Sequence, residues 1–231
     1  MSFLNSLIEK FHKSLFWGSI FHTLNYCLQK ELKDCESVLD IGCGPSSPLQ
    51  YCKWIKYSVG VEPFKPYLEE SKKRKIHTKY INKKIEELDF PENSFDAVIM
   101  IEVLEHLPKK VGREILKKAE KWARKKVIIS TPNGFFSVGK VDKNRYQKHL
   151  SGWTVEELFR EGFKCRGICG LKWFYHKENK VESLINYKQD VSFCNIRFGP
   201  PQIFFVLASI SQIFAYFFPK YSFEIFAVKR K

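Results

Sequence analysis

Val38-Leu39-Asp40-Ile41-Gly42-Cys43-Gly44-Pro45 is the stretch that decides the fold of this 231-residue chain. Apolar residues lead to an acid and then to two glycines one residue apart, which predicts a buried parallel strand that ends in a tight turn. A helix over 47–54 is expected after the turn, with free N–H groups directed at a ligand. The next strand, over 57–62, ends in Glu62, and an acid at this place holds a ribose diol in doubly wound folds.

Strands and helices then alternate, which predicts an α/β fold with a Rossmann-like, doubly wound and mostly parallel sheet of about seven strands. The remaining strands are expected over 78–83, 95–101, 126–131, 164–171 and 221–229, and the helices over 65–74, 108–125 and 154–161. Thr154 and Glu157 have the spacing of a capping box, which fixes the start of the last of these helices.

Composition divides the chain into four parts. Residues 1–35 have apolar positions at helical spacing and predict an N-terminal helical addition. Residues 36–175 form the predicted core, 176–220 a helical insertion, and 221–231 the final strand of the core. Within the insertion, 203–218 is almost wholly apolar, but sixteen residues at about 1.5 Å each reach only roughly 24 Å, short of a bilayer core of roughly 30 Å. We therefore expect burial against the N-terminal helices, or contact with substrate or with a membrane surface.

Charge and cysteine usage limit the partners. The net charge of +14 favours nucleic acid or anionic lipid, or else reflects lysine-rich solvent faces of helices, as in 108–126. No RNA-binding signature accompanies the charge, so nucleic acid is not favoured. Seven cysteines without a C-x-x-C pair argue against zinc and for a reducing compartment. The N-terminal residues lack a signal-peptide pattern, so a cytoplasmic location is expected, with peripheral membrane contact as an option.

Four blocks of the sequence, in order and spacing, resemble the class I S-adenosylmethionine-dependent methyltransferases. They are VLDIGCGPS, GVEP, LDFPENSFDAVIMIEVLEHL and VIISTPNG, and they are similar to the type 11 and quinone-biosynthesis members. The resemblance implies S-adenosylmethionine as the cofactor and methyl transfer as the reaction. A nicotinamide-binding fold is the structural alternative, but it usually carries a third glycine where Ser47 stands.

The resemblance also implies the cofactor-binding residues. Gly42, Cys43 and Gly44 would let the backbone approach the ligand, and Glu62 would accept both ribose hydroxyls. Asp40 would orient the loop or meet the amino end of the ligand through water. The complete expected set is Asp40, Gly42, Cys43, Gly44, Glu62, Pro63, Ile85, Glu86, Ile101 and Glu102. Where many members have an acid for the adenine amino group, this chain has Lys84, which cannot accept a hydrogen bond, so Glu86 or backbone groups would substitute.

Glu102, Glu105 and His106 follow the fourth predicted strand and share one face if the segment is helical. The resemblance here is to quinone-biosynthesis O-methyltransferases with an E-x-x-E-H pattern. Two carboxylates and an imidazole suit a divalent ion such as Mg²⁺ or a proton relay. Structural hydrogen bonding is the commoner role for such residues, and no tightly held metal is expected.

The loop after the fifth strand faces the transferring methyl group, because ligands lie beyond the carboxyl ends of the strands. The expected catalytic residues are His149 as a general base with a pKa near the working pH, Tyr146 and Asn133 as acceptor-positioning groups, and His106. A small or lipid-like acceptor is expected. Two alternatives stay open: an RNA or protein methyltransferase, favoured by the charge, and a cofactor-binding scaffold without catalysis, favoured by Lys84. The sequence does not indicate the oligomeric state.

Overall fold

The computed structural model describes residues 14–138, 141–178, 183–185 and 195–231. Its strands are β1 (Ser37–Ile41), β2 (Tyr57–Val61), β3 (Lys79–Ile81), β4 (Phe95–Ile101), β5 (Ala123–Pro132), β6 (Lys164–Leu171) and β7 (Ser222–Arg230). Its helices are α1 (Leu15–Phe21), α2 (Leu24–Glu31), α3 (Lys65–Lys73), α4 (Lys109–Trp122), α5 (Val155–Arg160) and α6 (Pro201–Phe217).

The strands form one sheet in the order β3-β2-β1-β4-β5-β7-β6. Neighbours from β3 to β5 pair in parallel, whereas β7 lies antiparallel between β5 and β6. The predicted α/β fold with a mostly parallel, Rossmann-like sheet of about seven strands is therefore confirmed. The strand order reverses between β1 and β4, and this is the place where doubly wound sheets open a crevice for ligands.

The sheet is covered on both faces, which explains why its central strands are continuous apolar runs. β1 is buried from Val38 onward, and six of the seven residues of β4 are buried. On one face, α4 packs Ile115 and Trp122 into the core and leaves Lys110, Lys117 and Lys121 exposed. On the other face, Leu28 of α2 belongs to a second core cluster. The capping box of α5, formed by Thr154 and Glu157, is confirmed.

One predicted α-helix does not form. The segment expected to form a helix over 47–54 contains a single 3₁₀ turn, Pro48–Tyr51. The Ser47 hydroxyl accepts the N–H of Leu49 and so caps this turn. The backbone then returns within a few residues to begin β2, which leaves no room for a second helical turn. The N–H groups of a long helix are therefore not what the site offers to a ligand.

α6 packs against β6, the edge strand of the sheet, and buries Phe205, Ala208, Gln212 and Ala215. The approach is close, since a Cβ on Gly167 of β6 would lie 2.2 Å from the Ala215 carbonyl oxygen. Gln212 completes the contact: its Oε1 accepts the N–H of Gly170 and its Nε2 donates to the carbonyl of Gly167. Ser211 acts beside it, since its hydroxyl accepts the N–H of Leu171, so two polar residues that interrupt the apolar run fix the helix to the sheet.

The opposite face of α6 is apolar and exposed. Its members are Ile203, Val206, Leu207, Ile210, Ile213, Phe214 and Phe217. In the part of the chain that the structure describes, no helix combines the length and apolar character that crossing a bilayer requires.

The N-terminal addition is described from residue 14 onward, so the apolar positions predicted between 3 and 11 lie outside the described residues. α1 and α2 follow one another with a short turn, and the Thr23 hydroxyl caps α2. His22, in that turn, stacks on Tyr216 of α6 with ring centroids 3.8 Å apart. The turn thereby joins the N-terminal helices to α6.

Candidate active site

A cavity of about 530 Å³ opens at the carboxyl ends of β1, β2, β4 and β5, at the reversal of strand order. One end is polar and is lined by the glycine turn after β1 and by Glu62 after β2. The other end is largely apolar and is lined by aromatic residues and by α6, and the polar Asn195 and Glu224 also belong to the cavity wall. The turn between α1 and α2 and the adjoining helix ends contribute Phe21, Thr23, Leu24 and Asn25 to the wall.

The glycine turn has left-handed backbone at both glycines, with φ of 67° at Gly42 and 56° at Gly44. A Cβ on Gly42 would lie 2.6 Å from Cγ2 of Val103, so the packing leaves no room for a side chain at this position. Around Gly44 a Cβ would meet nothing within 4 Å, so the backbone there faces open space. Cys43 is buried between them, its N–H donates to the Val61 carbonyl, and burial raises the pKa of its thiol.

Asp40 lies beneath the turn and is almost completely buried. It accepts a hydrogen bond from the Ser47 hydroxyl, which itself accepts the Leu49 N–H. Burial raises the pKa of Asp40 to about 7, while the Ser47 bond opposes that rise and the nearby Glu62 carboxyl adds to it. Asp40 therefore connects the end of β1 to the segment after the glycine turn.

Glu62 ends β2 and faces the same cavity. Its Oε2 accepts the Gly44 N–H at 3.1 Å and its Oε1 accepts the Phe64 N–H at 2.9 Å. Burial raises the pKa of this carboxyl to about 7, and the two N–H groups oppose the rise. Each oxygen keeps one further acceptor position, so the carboxyl is held in place with two positions left for a ligand.

Two carboxyls lie side by side after β4. Glu102 adopts left-handed backbone with φ of 56°, and Glu105 lies in a 3₁₀ turn, Leu104–His106, where a longer helix was conceivable. Ser130 donates to Glu102 at 2.8 Å and Thr131 donates to Glu105 at 2.9 Å. Burial raises the pKa of both carboxyls, and for Glu105 the charge of Glu102 adds to the rise. Such a pair holds either a shared proton or a cation.

His106 and His149 meet beside this pair, with ring centroids 4.7 Å apart. Burial lowers the pKa of His106 to about 4. Burial, together with the neighbouring His106, lowers the pKa of His149 to about 3. Both rings are thus neutral at neutral pH, and the expectation that His149 has a pKa near the working pH does not match this environment.

Several expected site residues lie away from the described wall of the cavity. Asn133 uses its amide nitrogen to donate to the carbonyls of Pro219, Lys220 and Ser222, which ties β5 to the turn before β7. The Tyr146 hydroxyl accepts from Arg145. Ile85 is buried in the core beneath the sheet, and Glu86 is exposed. The Pro63 carbonyl accepts from Asn82. The expected residues that do share the cavity are Asp40, Gly42, Cys43, Gly44, Glu62, Ile101, Glu102, His106 and His149.

Contact with substrate is one role expected for the run 203–218, but the aromatic cluster at the apolar end of the cavity was not expected. Tyr175 stacks on Phe223 with centroids 4.1 Å apart, and Phe136 meets Phe223 edge to face at 5.3 Å. Phe205 of α6 belongs to the same cluster. The available signal was the density of aromatic residues after β5 and β6, but only the position of α6 assembles them around one space.

Comparison with known proteins gives a family for the central part of the chain. Residues 39–129 match the family described as a methyltransferase domain. No curated protein sequence matches the chain.

One solved structure shares the fold, and two others are similar to part of the chain. A SAM-dependent methyltransferase from Archaeoglobus fulgidus is 16% identical over 94% of this chain and 98% of that chain, with a TM-score of 0.53. The PH0226 protein from Pyrococcus horikoshii OT3 is 22% identical over 53% of this chain, with a TM-score of 0.44, and the match spans only 61% of its length. The YcgJ protein from Bacillus subtilis is 14% identical over 62% of this chain and 69% of that chain, with a TM-score of 0.48.

Proposed function

We propose that this chain, which belongs to the class I S-adenosylmethionine-dependent methyltransferases, transfers the methyl group of S-adenosylmethionine to a small or lipid-like acceptor. The observation that carries the proposal is a single cavity with a polar end built on the glycine turn and an apolar end built on α6. A charged, polar cofactor suits the first end, and an apolar acceptor suits the second.

The polar end fits the cofactor in shape and in hydrogen bonding. The open space at Gly44 admits a ligand against the backbone, and Glu62 holds two acceptor positions ready for the two hydroxyls of a ribose. Ile101 and Glu102 form the adjacent wall. Because Lys84 cannot accept a hydrogen bond from the adenine amino group, backbone groups or Glu86 would have to do so after a side-chain movement.

The apolar end fits an acceptor that presents aromatic or aliphatic surface. Phe136, Tyr175, Phe205 and Phe223 line it, and the first three of them come from three different segments of the chain. The outer face of α6 is exposed and apolar, so the helix that closes the cavity is also suited to contact lipid. The basic net charge of +14 would add attraction to anionic headgroups.

When bound, the cofactor supplies a methyl group activated by a sulfonium, so positioning the acceptor in line provides much of the rate. This chain's residues would perform that positioning from the rim between the two ends, where His106, His149 and Glu105 lie. His149 is a neutral ring with a low pKa, so it would receive a proton only transiently and pass it on.

Transfer of a radioactive methyl group tests the acceptor class. The protein is incubated with methyl-labelled S-adenosylmethionine and, separately, with a total lipid extract, total RNA and a protein extract of one cell type. We expect label in the organic phase of the lipid sample, lost in Glu62→Ala and kept in Glu69→Ala, which changes an exposed glutamate of α3. Label in RNA or in protein, and not in lipid, would contradict the proposed acceptor.

A further inference from the structure

Asp142 joins three segments that lie far apart in the sequence. It belongs to the loop that leads from β5 to α5. Its Oδ2 accepts a hydrogen bond from the Tyr67 hydroxyl of α3 at 2.7 Å and another from the Leu184 N–H at 2.6 Å. The Ser183 hydroxyl and the Ile185 N–H also donate to this carboxyl group. We call these residues the Asp142 junction.

The hydrogen bond between Tyr67 and Asp142 joins a neutral donor to a charged acceptor. Burial alone would raise the pKa of Asp142, but the hydrogen bonds of the junction outweigh burial and hold the pKa below its usual value. Burial, together with the hydrogen bond to Asp142, raises the pKa of Tyr67, so its hydroxyl keeps the proton that it donates. Hydrogen bonds to an ionised group are roughly twice as strong as those between neutral groups. The junction therefore holds α3 and the loop after β5 together by a strong contact.

The backbone of the loop is strained at the junction. Asp142 and Lys143 both have left-handed backbone, with φ of 49° and 55°. Asp adopts this conformation more readily than most residues, whereas Lys does so rarely. The N–H of Asn144 closes the turn by donating to the carbonyl of the buried Val141 at 2.8 Å. Strained conformations persist where surrounding contacts determine them, so the hydrogen bonds of Asp142 maintain this turn.

α3 connects the junction to the polar end of the cavity. Oε1 of Glu62 accepts the N–H of Phe64, the residue that precedes α3. The Phe64 carbonyl in turn accepts the N–H of Tyr67 at 3.0 Å, and the two rings meet edge to face with centroids 5.0 Å apart. Tyr67 is fully buried and itself lines the cavity. Glu62 and Asp142 are thus linked through the first turn of one helix.

The other segments of the junction reach the wall between the two ends of the cavity. The loop after β5 carries Gln147 and His149, and both line the cavity. The carbonyl of Asn144 accepts the N–H of Gln147, so short turns connect Asp142 to this part of the wall. Leu184, which donates to Asp142, also lines the cavity. A shift of Asp142 relative to α3 would therefore move the wall on the acceptor side.

We propose that Tyr67 and Asp142 are positioning residues that couple the two ends of the cavity, so that a cofactor bound at Glu62 stabilises the acceptor-side wall. This step rests on the proposed function. A ligand that fixes Glu62 also fixes the first turn of α3, so less conformational entropy is lost when Tyr67 bonds to Asp142. The acceptor would therefore bind best after the cofactor. By reciprocity, the junction also strengthens cofactor binding.

Hydrogen–deuterium exchange of the full chain, with and without S-adenosylhomocysteine, tests the coupling. In the unaltered chain, this ligand should slow exchange at the glycine turn and also in peptides that cover 144–149 and 183–185. In Tyr67→Phe, which removes one hydroxyl, it should slow exchange at the glycine turn alone. Without ligand, exchange in the two other segments of Tyr67→Phe should be about 10- to 150-fold faster than in the unaltered chain, the factor that corresponds to one hydrogen bond to a charged acceptor.

Two further variants separate the coupling from a general loss of structure. Asp142→Ala should also lose the effect of the ligand on the loop, and adding Tyr67→Phe to it should cause no further loss, because both changes break one link. Tyr80→Phe is the matched control. Its hydroxyl donates to the Ser71 carbonyl at the other end of α3 at 3.0 Å, so its removal should leave the effect of the ligand unchanged.

Thermal unfolding of each variant checks that it folds, and calorimetry measures its affinity for S-adenosylhomocysteine. If the ligand slows exchange in the unaltered chain at the glycine turn alone, the coupling is overturned and the proposed function stands. An effect of the ligand on the loop that is equal in Tyr67→Phe and in the unaltered chain would also overturn the coupling. A folded, unaltered chain that does not bind the ligand would contradict the proposed function and the coupling together.

Discussion

Replacement of Glu62 by alanine should weaken binding of S-adenosylhomocysteine, the demethylated product of the cofactor. Both carboxylate oxygens are already held by backbone N–H groups, from Gly44 and from Phe64, and each keeps one acceptor position for a ribose hydroxyl. A hydrogen bond to a charged acceptor contributes about 1.5–3 kcal/mol, and the loss of one such contribution raises the dissociation constant roughly 10- to 150-fold.

The structure gives a reason to expect the upper part of that range. Alanine would remove the expected contacts with the ligand and also releases the Gly44 N–H, so the glycine turn loses the bond that fixes it to the end of β2. Glu62→Gln should have a smaller effect, because its amide keeps one acceptor oxygen. Glu69→Ala, an exposed residue of α3 paired with Lys72, should leave the affinity unchanged.

Isothermal titration calorimetry of the three variants and the unaltered chain measures the effect, with thermal unfolding as a check on folding. Equal affinity for S-adenosylhomocysteine in the folded Glu62→Ala variant and the unaltered chain would refute the assignment of this carboxyl to the ribose. A loss of the same size in Glu69→Ala would show that the effect is one of overall charge.

Four further predictions concern pH, the glycine turn, and the two faces of α6. Burial raises the pKa of Glu62 to about 7, so below pH 7 binding of S-adenosylhomocysteine requires loss of a proton. Calorimetry should therefore show the affinity falling by up to about tenfold per pH unit below pH 7. Glu62→Gln should flatten this pH profile. Gly42→Ala should lower the free energy of urea unfolding by about 1–3 kcal/mol, because the backbone is left-handed and the new Cβ would lie 2.6 Å from Val103. Adding Val103→Ala should recover part of this loss. Gln212→Leu should lower it by about 2–4 kcal/mol in the same assay, because two backbone groups of β6 lose their partner; no loss would show that these bonds do not stabilise the contact. Flotation with anionic vesicles should show binding that Phe214→Asp weakens about fivefold or more, since this half-exposed side chain contributes about 1 kcal/mol of apolar contact, and an unaltered chain that does not float would exclude the lipid surface.

The features that the sequence predicts best are those that depend on neighbouring residues. The turn after β1 needs left-handed backbone at two positions, and the glycines at 42 and 44 supply it wherever the rest of the chain lies. The alternation of apolar strand segments with helical segments likewise predicts the parallel sheet. Thr154 and Glu157 predict the start of α5 from a window of four residues. These patterns involve residues close together in the sequence, so they can be interpreted without knowledge of the tertiary structure.

The features that the sequence does not predict depend on contacts between distant segments. His149 joins Glu105 and His106 because two backbone N–H groups of its loop bond to the Glu105 carbonyl, and hydrogen bonds of the backbone leave no mark on residue types. The run 203–218 is apolar on every side, so its periodicity could not indicate which face is buried. Ser211 and Gln212 interrupt that run, yet both form hydrogen bonds to the backbone of β6.

A single helix, α6, separates the cavity from the surroundings of the protein. Phe205 and Ser209 line the cavity, whereas Val206 and Ile210, their immediate successors in the chain, face outward. A molecule that shifts the inner side of this helix therefore also shifts the outer side, because both belong to one rigid element. Suppose that a surface binds α6 in one position and thereby changes the affinity of the cavity for its ligand. By thermodynamic reciprocity, the ligand then changes the affinity of α6 for that surface by the same factor. Under the proposed function, binding of an acceptor in the cavity and attachment of α6 to a surface would therefore be coupled.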